Sequence, residues 1–201
     1  DFPQNATAFQ IGSGLGNSNS NEKVISNFCT ILKNVKNPSC VIDADMFNYN
    51  DIKSFLFELN KINGIKIVLT PHAKELSNLV KLLNLKIQNL SENANPSEVL
   101  EYRIEIGKLI TKKYRNTVVV MQGSNPFIAD KGLTYIINCG SQSLSKGGSG
   151  DVLAGMITAL LAQGYSAKDA AITSVYRHGM CASEFGKKAY NLTPEKLISL
   201  I

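Results

Sequence analysis

Tryptophan is absent from this chain of 201 residues, and arginine occurs only at Arg103, Arg115 and Arg177. The net charge of +5 therefore rests on lysines, which are scattered along the chain without any basic-aromatic cluster. That pattern describes a solvated surface and argues against a nucleic-acid partner. The four cysteines, Cys29, Cys40, Cys139 and Cys181, lie far apart and form no C-x-x-C pair. A disulfide framework and a zinc motif are both set aside, and the expectation is a reduced, cytoplasmic protein. No apolar run approaches the ~18–20 residues of a membrane span, so no membrane association is expected. The first residue is Asp1 rather than Met, and no basic, apolar signal-type segment follows it. Internal repeats, low-complexity tracts and linkers are missing as well.

What is present is enough for one good core: 44% of the residues are hydrophobic and 18% charged, which excludes a disordered chain and predicts a single domain over residues 1–201. Short apolar runs at 6–11, 39–42, 65–69 and 117–121 have strand length and β-branched content. Each gives way at its C-terminal end to Gly-rich or polar punctuation. Helical patterns fill the intervals at 20–35, 52–60, 74–83 and 96–114. Alternation of this kind means a parallel sheet with helices on its faces. Residues 127–129 and 135–137, joined through Asp130, Lys131 and Gly132, read as a hairpin at one edge. The remainder is mostly helical, at 152–163, 167–189 and 194–200. In an open α/β sheet, ligands sit outside the carboxyl ends of the strands, so the punctuation there locates a site before any motif is named.

The strongest motif is Lys146-Gly147-Gly148-Ser149-Gly150-Asp151, running straight into a helical segment. Three glycines in four residues let backbone N–H groups converge on one point. A helix starting there adds unpaired N–H groups and its positive dipole end, which suits a phosphate. Asp151 in that first turn would repel the phosphate if it were only structural; it makes sense as a base that takes a proton from an attacking hydroxyl. The plain alternative is a Gly-rich loop with Asp as a helix cap. No Walker A loop occurs, and Gly12-Ser13-Gly14-Leu15-Gly16 is not a Rossmann fingerprint, because Asn17 stands where its third Gly belongs. Asp43 and Asp45 follow the second strand, where the readings are turn formation or a Mg²⁺ shell for Asp43. His72, after Thr70-Pro71, is either a ligand contact or a satisfied polar group. His178, inside a helical pattern between Val175 and Cys181, reads as helix packing.

Taken in order, these segments resemble the ribokinase-like family of ADP/ATP-dependent NAD(P)H-hydrate dehydratases. That family runs G-P-G-L-G, D-A-D-A-L-N, T-P-H-P-G-E, K-G, a G-N loop and G-G-x-G-D-x-L. Here the chain has Gly12 to Gly16 as G-S-G-L-G, Asp43 to Asn48 as D-A-D-M-F-N, Thr70 to Glu75 as T-P-H-A-K-E, then Gln122-Gly123, and Gly147 to Leu153 as G-G-S-G-D-V-L. The resemblance covers nearly the whole chain. It implies a three-layer ribokinase-like fold, with a mostly parallel central sheet, helices on both faces and an edge hairpin. It also implies an enzyme that uses ATP or ADP with Mg²⁺ to drive water out of hydrated NADH or NADPH. By the same resemblance Gly14, His72 and Asp151 contact the hydrated dinucleotide, and Asp151 is the catalytic base. Gln122, Gly123, Ser124, Asn125 and Pro126, with Gly147, Gly148, Ser149 and Gly150, contact the adenine nucleotide. No metal-ligating residue of the chain is assigned. A homo-oligomer, and a fused or partner epimerase domain, are further implications.

Three departures stand out. Gln122 replaces the family's Lys, Ser141 replaces Asn in the G-N loop, and Ala73-Lys74 replaces Pro-Gly. The first removes a positive charge expected beside phosphate, for which Lys146 or Lys74 would be candidates to compensate. Two other readings of the same residues are a ribokinase-like kinase of a small vitamin-precursor alcohol and a nucleotide-binding module without turnover. Family members carry at least one β-α-β unit before the segment matching Gly12 to Gly16. The expectation is therefore that Asp1 lies inside a longer chain, with residues 6–11 an interior strand, and that residues 1–201 alone are poorly soluble or inactive.

Overall fold

The computed structural model describes residues 5–16, 18–88, 90–91, 93–185 and 191–201. The four apolar runs form parallel strands β1 (Ala8–Ile11), β2 (Ser39–Ile42), β3 (Lys66–Leu69) and β4 (Thr117–Met121). Their near-continuous apolar character has a simple cause: both faces of the sheet are covered. On one face Phe9, Ile11, Cys40, Ile42, Ile67, Leu69, Val119 and Met121 form the larger core. The alternate residues Val41, Val68, Val118 and Val120 form a second core on the opposite face.

The connecting helices α1 (Glu22–Lys33), α2 (Ile52–Asn60), α3 (Ala73–Leu82) and α4 (Pro96–Lys113) all cover the first face. Keeping every connection on one face makes the strands step in a single direction, in the order β1-β2-β3-β4. Strands β5 (Phe127–Asp130) and β6 (Leu133–Ile136) then add an antiparallel hairpin beside β4. Its two-residue turn, Lys131-Gly132, has both φ values positive, at 48° and 81°, the requirement of a type I′ turn. That tight turn starts β6 at Leu133, two residues earlier than the expected strand at 135–137.

After β6 the chain crosses to the second face, where α5 (Ser149–Ala162) and α6 (Ala167–Glu184) bury Leu153, Ala154, Ile157, Ala171 and Val175 against the sheet. A short α7 (Pro194–Ile198) closes a small cluster with both through Leu197, Val152 and Cys181. Helix α5 begins at Ser149 rather than 152, because Gly148 adopts a left-handed φ of 84° and turns the loop directly into the helix. Helix α6 ends at Glu184; the rest of the expected helix, residues 186–189, lies outside the described residues, as does Asn17. The expected helix at 20–35 is Glu22–Lys33, preceded by a separate 3₁₀ turn at Ser18–Ser20. The four cysteines are free thiols.

Candidate active site

The parallel strands bring their carboxyl ends to one rim of the sheet, and the Gly-rich entry to α5 crosses that rim from the other layer. Between them lies a cleft of about 600 Å³, lined by Asp43, His72, Glu75, Gln122, Gly123, Ser124, Pro126, Gly147, Gly148, Ser149, Gly150, Asp151 and His178, among others.

The wall at α5 is built to receive an anion. Gly148 is the N-cap and makes no side-chain cap, whereas His72, Asn95, Ser166 and Thr193 cap α3, α4, α6 and α7. Ser149 N–H donates to the Lys146 carbonyl at 3.2 Å and Val152 N–H to Gly148 at 3.1 Å. No acceptor among the described residues takes the N–H of Gly147, Gly148, Gly150 or Asp151. Four donors left open at the positive end of a helix make a site for negative charge. Asp151 stands in that first turn, exposed to the cleft.

Opposite it, at the end of β2, Asp43 is only 4% exposed. Its carboxylate accepts from Thr70 Oγ1 at 2.6 Å and Ser13 Oγ at 3.3 Å, so it ties together the ends of three neighbouring strands. Burial raises its pKa; hydrogen bonds from Thr70, the Ala44 N–H and Ser13 oppose this, and the Asp151 charge adds to the rise. The two carboxylates therefore sense each other across the cleft. Asp43 and Asp45 part company, because β2 ends at Ile42 and a 3₁₀ turn follows at Ala44–Asn48. Asp45 accepts the Gly16 N–H at 2.7 Å instead. Gly12 has to be glycine: its φ is +121°, and a Cβ there would stand 1.8 Å from the Asp43 carbonyl oxygen.

His72 is the N-cap of α3. Its Nδ1 accepts from the Lys74 and Glu75 N–H groups at 3.2 and 3.3 Å, and Glu75 Oε2 accepts the His72 N–H at 2.9 Å. An accepting Nδ1 puts the proton on Nε2, which lies 3.2 Å from Glu75 Oε1. Both ring nitrogens are thus used within a capping box, while the half-exposed ring still lines the cleft. Burial raises the Glu75 pKa, against the pull of His72, with Asp43 and Asp45 adding to the rise.

Gln122 Nε2 donates to the Thr70 carbonyl at 2.6 Å. Its amide also lies 3.8 Å from where a Gly150 Cβ would stand, so the position of the family's Lys does face the glycine loop. Lys146 Nζ donates to the Leu192 carbonyl at 3.1 Å and lines the cleft; Lys74 is exposed and does not. His178, read from sequence as helix packing, is buried as expected, yet it also holds the site. Its Nε2 lies 3.0 Å from the Ser149 carbonyl and 3.2 Å from Ser149 Oγ, and burial pushes its pKa down to about 4.

Of the twelve site residues expected from the resemblance, ten line the cleft, joined by Asp43 and, as an addition, His178. Two do not line the cleft. Gly14 is exposed in the loop after β1, beside Ser13, and Asn125 turns its carbonyl to Arg103 at 3.3 Å. Sequence reasoning passed over Glu75, although its place three residues after His72 is a capping-box spacing. It gave no role to Arg103, for which no local signal exists.

A family model described as NAD(P)H-hydrate dehydratase matches residues 3–201. The bifunctional NAD(P)H-hydrate repair enzyme Nnr of Helicobacter pylori is 37% identical over 201 residues, covering 100% of this chain and 38% of that protein. The crystal structure of the Bacillus subtilis ADP/ATP-dependent NAD(P)H-hydrate dehydratase, co-crystallised with ATP/Mg²⁺, superposes with a TM-score of 0.69 at 25% identity, covering 96% of this chain and 62% of that one. A ribokinase-like superfamily protein from Enterococcus faecalis has a TM-score of 0.61 at 20% identity, covering 95% of this chain and 60% of that one; it shares the fold. The ribokinase-like architecture expected from the sequence is therefore present, and the chain spans less than two thirds of the length of these relatives.

Proposed function

Since the chain belongs to the NAD(P)H-hydrate dehydratase family, we propose that it restores hydrated NADH and NADPH at the expense of ATP or ADP. The observation that carries this reading is Asp151 in the first turn of α5, beside open N–H groups and across the cleft from Asp43. The N–H groups of residues 147–151, with the loop at 122–126, receive the nucleotide phosphates. Asp151 accepts the proton of the ring hydroxyl as its oxygen attacks the terminal phosphorus, and the shortened nucleotide leaves. The phosphorylated ring carbon then loses phosphate, its C–O bond breaking, while a proton departs from the adjacent carbon and the dihydronicotinamide double bond reforms. Phosphorylation matters because hydroxide is a poor leaving group and phosphate a good one.

His72 and the segment carrying Gly14 lie toward the dinucleotide side. His72 already lines the cleft with its half-exposed ring, and can offer its Nε2–H only by loosening its bond to Glu75. Among the described residues no cluster of three or more His, Cys, Asp or Glu is arranged to hold a metal ion. Asp43 and Glu75 nevertheless fit the one or two carboxylates that accompany a phosphate-bound Mg²⁺. Such an ion would neutralise phosphate charge. A homo-oligomeric state, an epimerase domain fused or associated, and cytoplasmic residence belong to the same proposal. Among the described residues no helix is long and apolar enough to cross a membrane.

The test mixes the full-length protein with hydrated NADH, Mg²⁺ and ATP or ADP, and follows NADH absorbance together with phosphate release. Nucleotide-dependent recovery that falls ~10²–10⁴-fold in Asp151→Asn, with nucleotide binding retained, is the expected outcome. Phosphorylation of a thiazole or pyrimidine alcohol without recovery would instead identify a kinase. Nucleotide binding with no turnover of either would identify a binding module.

A further inference from the structure

Arg103, on α4, is largely buried and has no carboxylate partner among the described residues. Burial alone pulls its pKa down, to about 10. A guanidinium in that setting needs acceptors, and it finds three main-chain carbonyls at the end of β4 and in the loop that follows. Its Nη2 donates to Met121 at 2.5 Å and to Gln122 at 3.3 Å, and its Nη1 donates to Asn125 at 3.3 Å. The guanidinium carbon lies 3.9 Å from the centroid of the Phe127 ring, at the start of β5. One planar fork therefore spans the whole bend between β4 and β5.

The bend is one wall of the cleft. A peptide's carbonyl and N–H point in opposite directions, so drawing the Gln122 carbonyl back toward α4 leaves the Gly123 N–H, which belongs to the same peptide, facing the cleft. No acceptor among the described residues takes the N–H of Gly123 or Ser124, and both residues line the cleft. We propose that Arg103 is a positioning residue: it holds the 122–126 loop from behind, so that the Gly123 N–H, and with it the start of the loop that carries Ser124, is presented to the phosphate-bearing nucleotide. The proposal rests on the nucleotide-dependent reading given above. Arg103 does not touch the ligand; it sets the shape that the ligand meets.

The decisive variants of the full-length protein are Arg103→Lys, which keeps the charge but not the fork, and Arg103→Met, which keeps only the stem over Phe127. In Arg103→Lys the KM for ATP or ADP should rise roughly tenfold, as one charge-assisted hydrogen bond is worth. The KM for the hydrate and kcat should stay within about twofold of wild type. Amide hydrogen exchange should quicken at Gln122 and Ile137, whose N–H groups bond the Pro71 and Pro126 carbonyls at either end of the loop, while β4 stays protected. If Arg103→Met fails to fold, the lysine variant decides alone. An unchanged nucleotide KM, or nucleotide and hydrate KM rising together, overturns the proposal. A wild-type protein that binds no adenine nucleotide would overturn the functional reading and the nucleotide half of this one. Unchanged exchange at Gln122 and Ile137 would then remove the loop-holding half as well.

Discussion

His178 should make the stability of this protein fall as pH drops from neutral, by an amount the structure sets. An unfolded histidine titrates near pH 6.5. In the fold, burial holds His178 down to about 4, with the Ser149 carbonyl pulling weakly the other way. Between those values the unfolded chain binds the proton and the folded one does not, so acid favours unfolding. The contribution is complete above pH 6.5 and is lost as pH falls toward 4. At ~1.4 kcal/mol per pKa unit the ceiling is about 3 kcal/mol, and about 2 kcal/mol of it should be gone by pH 5. Asp43 and Glu75 act in the opposite sense, because their raised pKa values let the folded state bind protons first. A single pH series therefore mixes the three groups. The assay is urea unfolding from pH 7.5 to 4.5 on wild type and His178→Gln, whose amide can still donate to the Ser149 carbonyl. The difference between the two curves isolates the imidazole. Wild type should lose about 2 kcal/mol more than the variant between pH 7.5 and 5. Curves that stay parallel would refute the account of His178 as a group kept neutral by burial.

Gln122→Lys should tighten ATP or ADP roughly tenfold in a salt-dependent way, because it sets an ammonium beside the glycine loop where Gln122 now bonds Thr70. Isothermal titration at two ionic strengths checks it, and an unchanged affinity would show that position 122 does not face phosphate. Gly140→Ala should cost about 1–3 kcal/mol and several degrees of Tm, since its Cβ would stand 1.3 Å from the Ser124 carbonyl oxygen. Calorimetry measures this, and a wild-type Tm would mean that the two loops are not packed together.

Strands β2 and β4 and helix α2 fall where the sequence places them, for reasons that are local. A strand covered on both faces is a continuous apolar run between polar ends, and α2 carries Ile52, Phe55, Leu56 and Leu59 on one buried face. The start of α5 was misplaced because its cap is Gly148, which signals nothing with a side chain and acts only through its φ of 84°. The site was legible to the same degree. Residues such as Asp43, His72 and Gln122 are found because a parallel sheet sends the end of every strand to one rim, so order along the chain becomes proximity in space. Arg103 and His178 were not legible, because each works on carbonyls supplied by a distant segment.

Those two residues share a logic that explains why a cleft so poor in cations can still face phosphate. One is a fork gripping the Met121, Gln122 and Asn125 carbonyls, the other a neutral ring gripping Ser149. Both can only donate to those oxygens, Arg103 from behind its loop and His178 from the lining of the cleft. The peptides held by the Gln122 and Ser149 oxygens present the Gly123 and Gly150 nitrogens in front, and neither nitrogen has an acceptor among the described residues. Beside Lys146, whose Nζ bonds the Leu192 carbonyl, the positive potential at the site is thus supplied by the backbone, and Asp43, Glu75 and Asp151 are the carboxylates that line the same cleft. That separation leaves Asp151 free to take a proton next to a phosphate: a lysine held against it would stabilise its charged form and weaken it as a base.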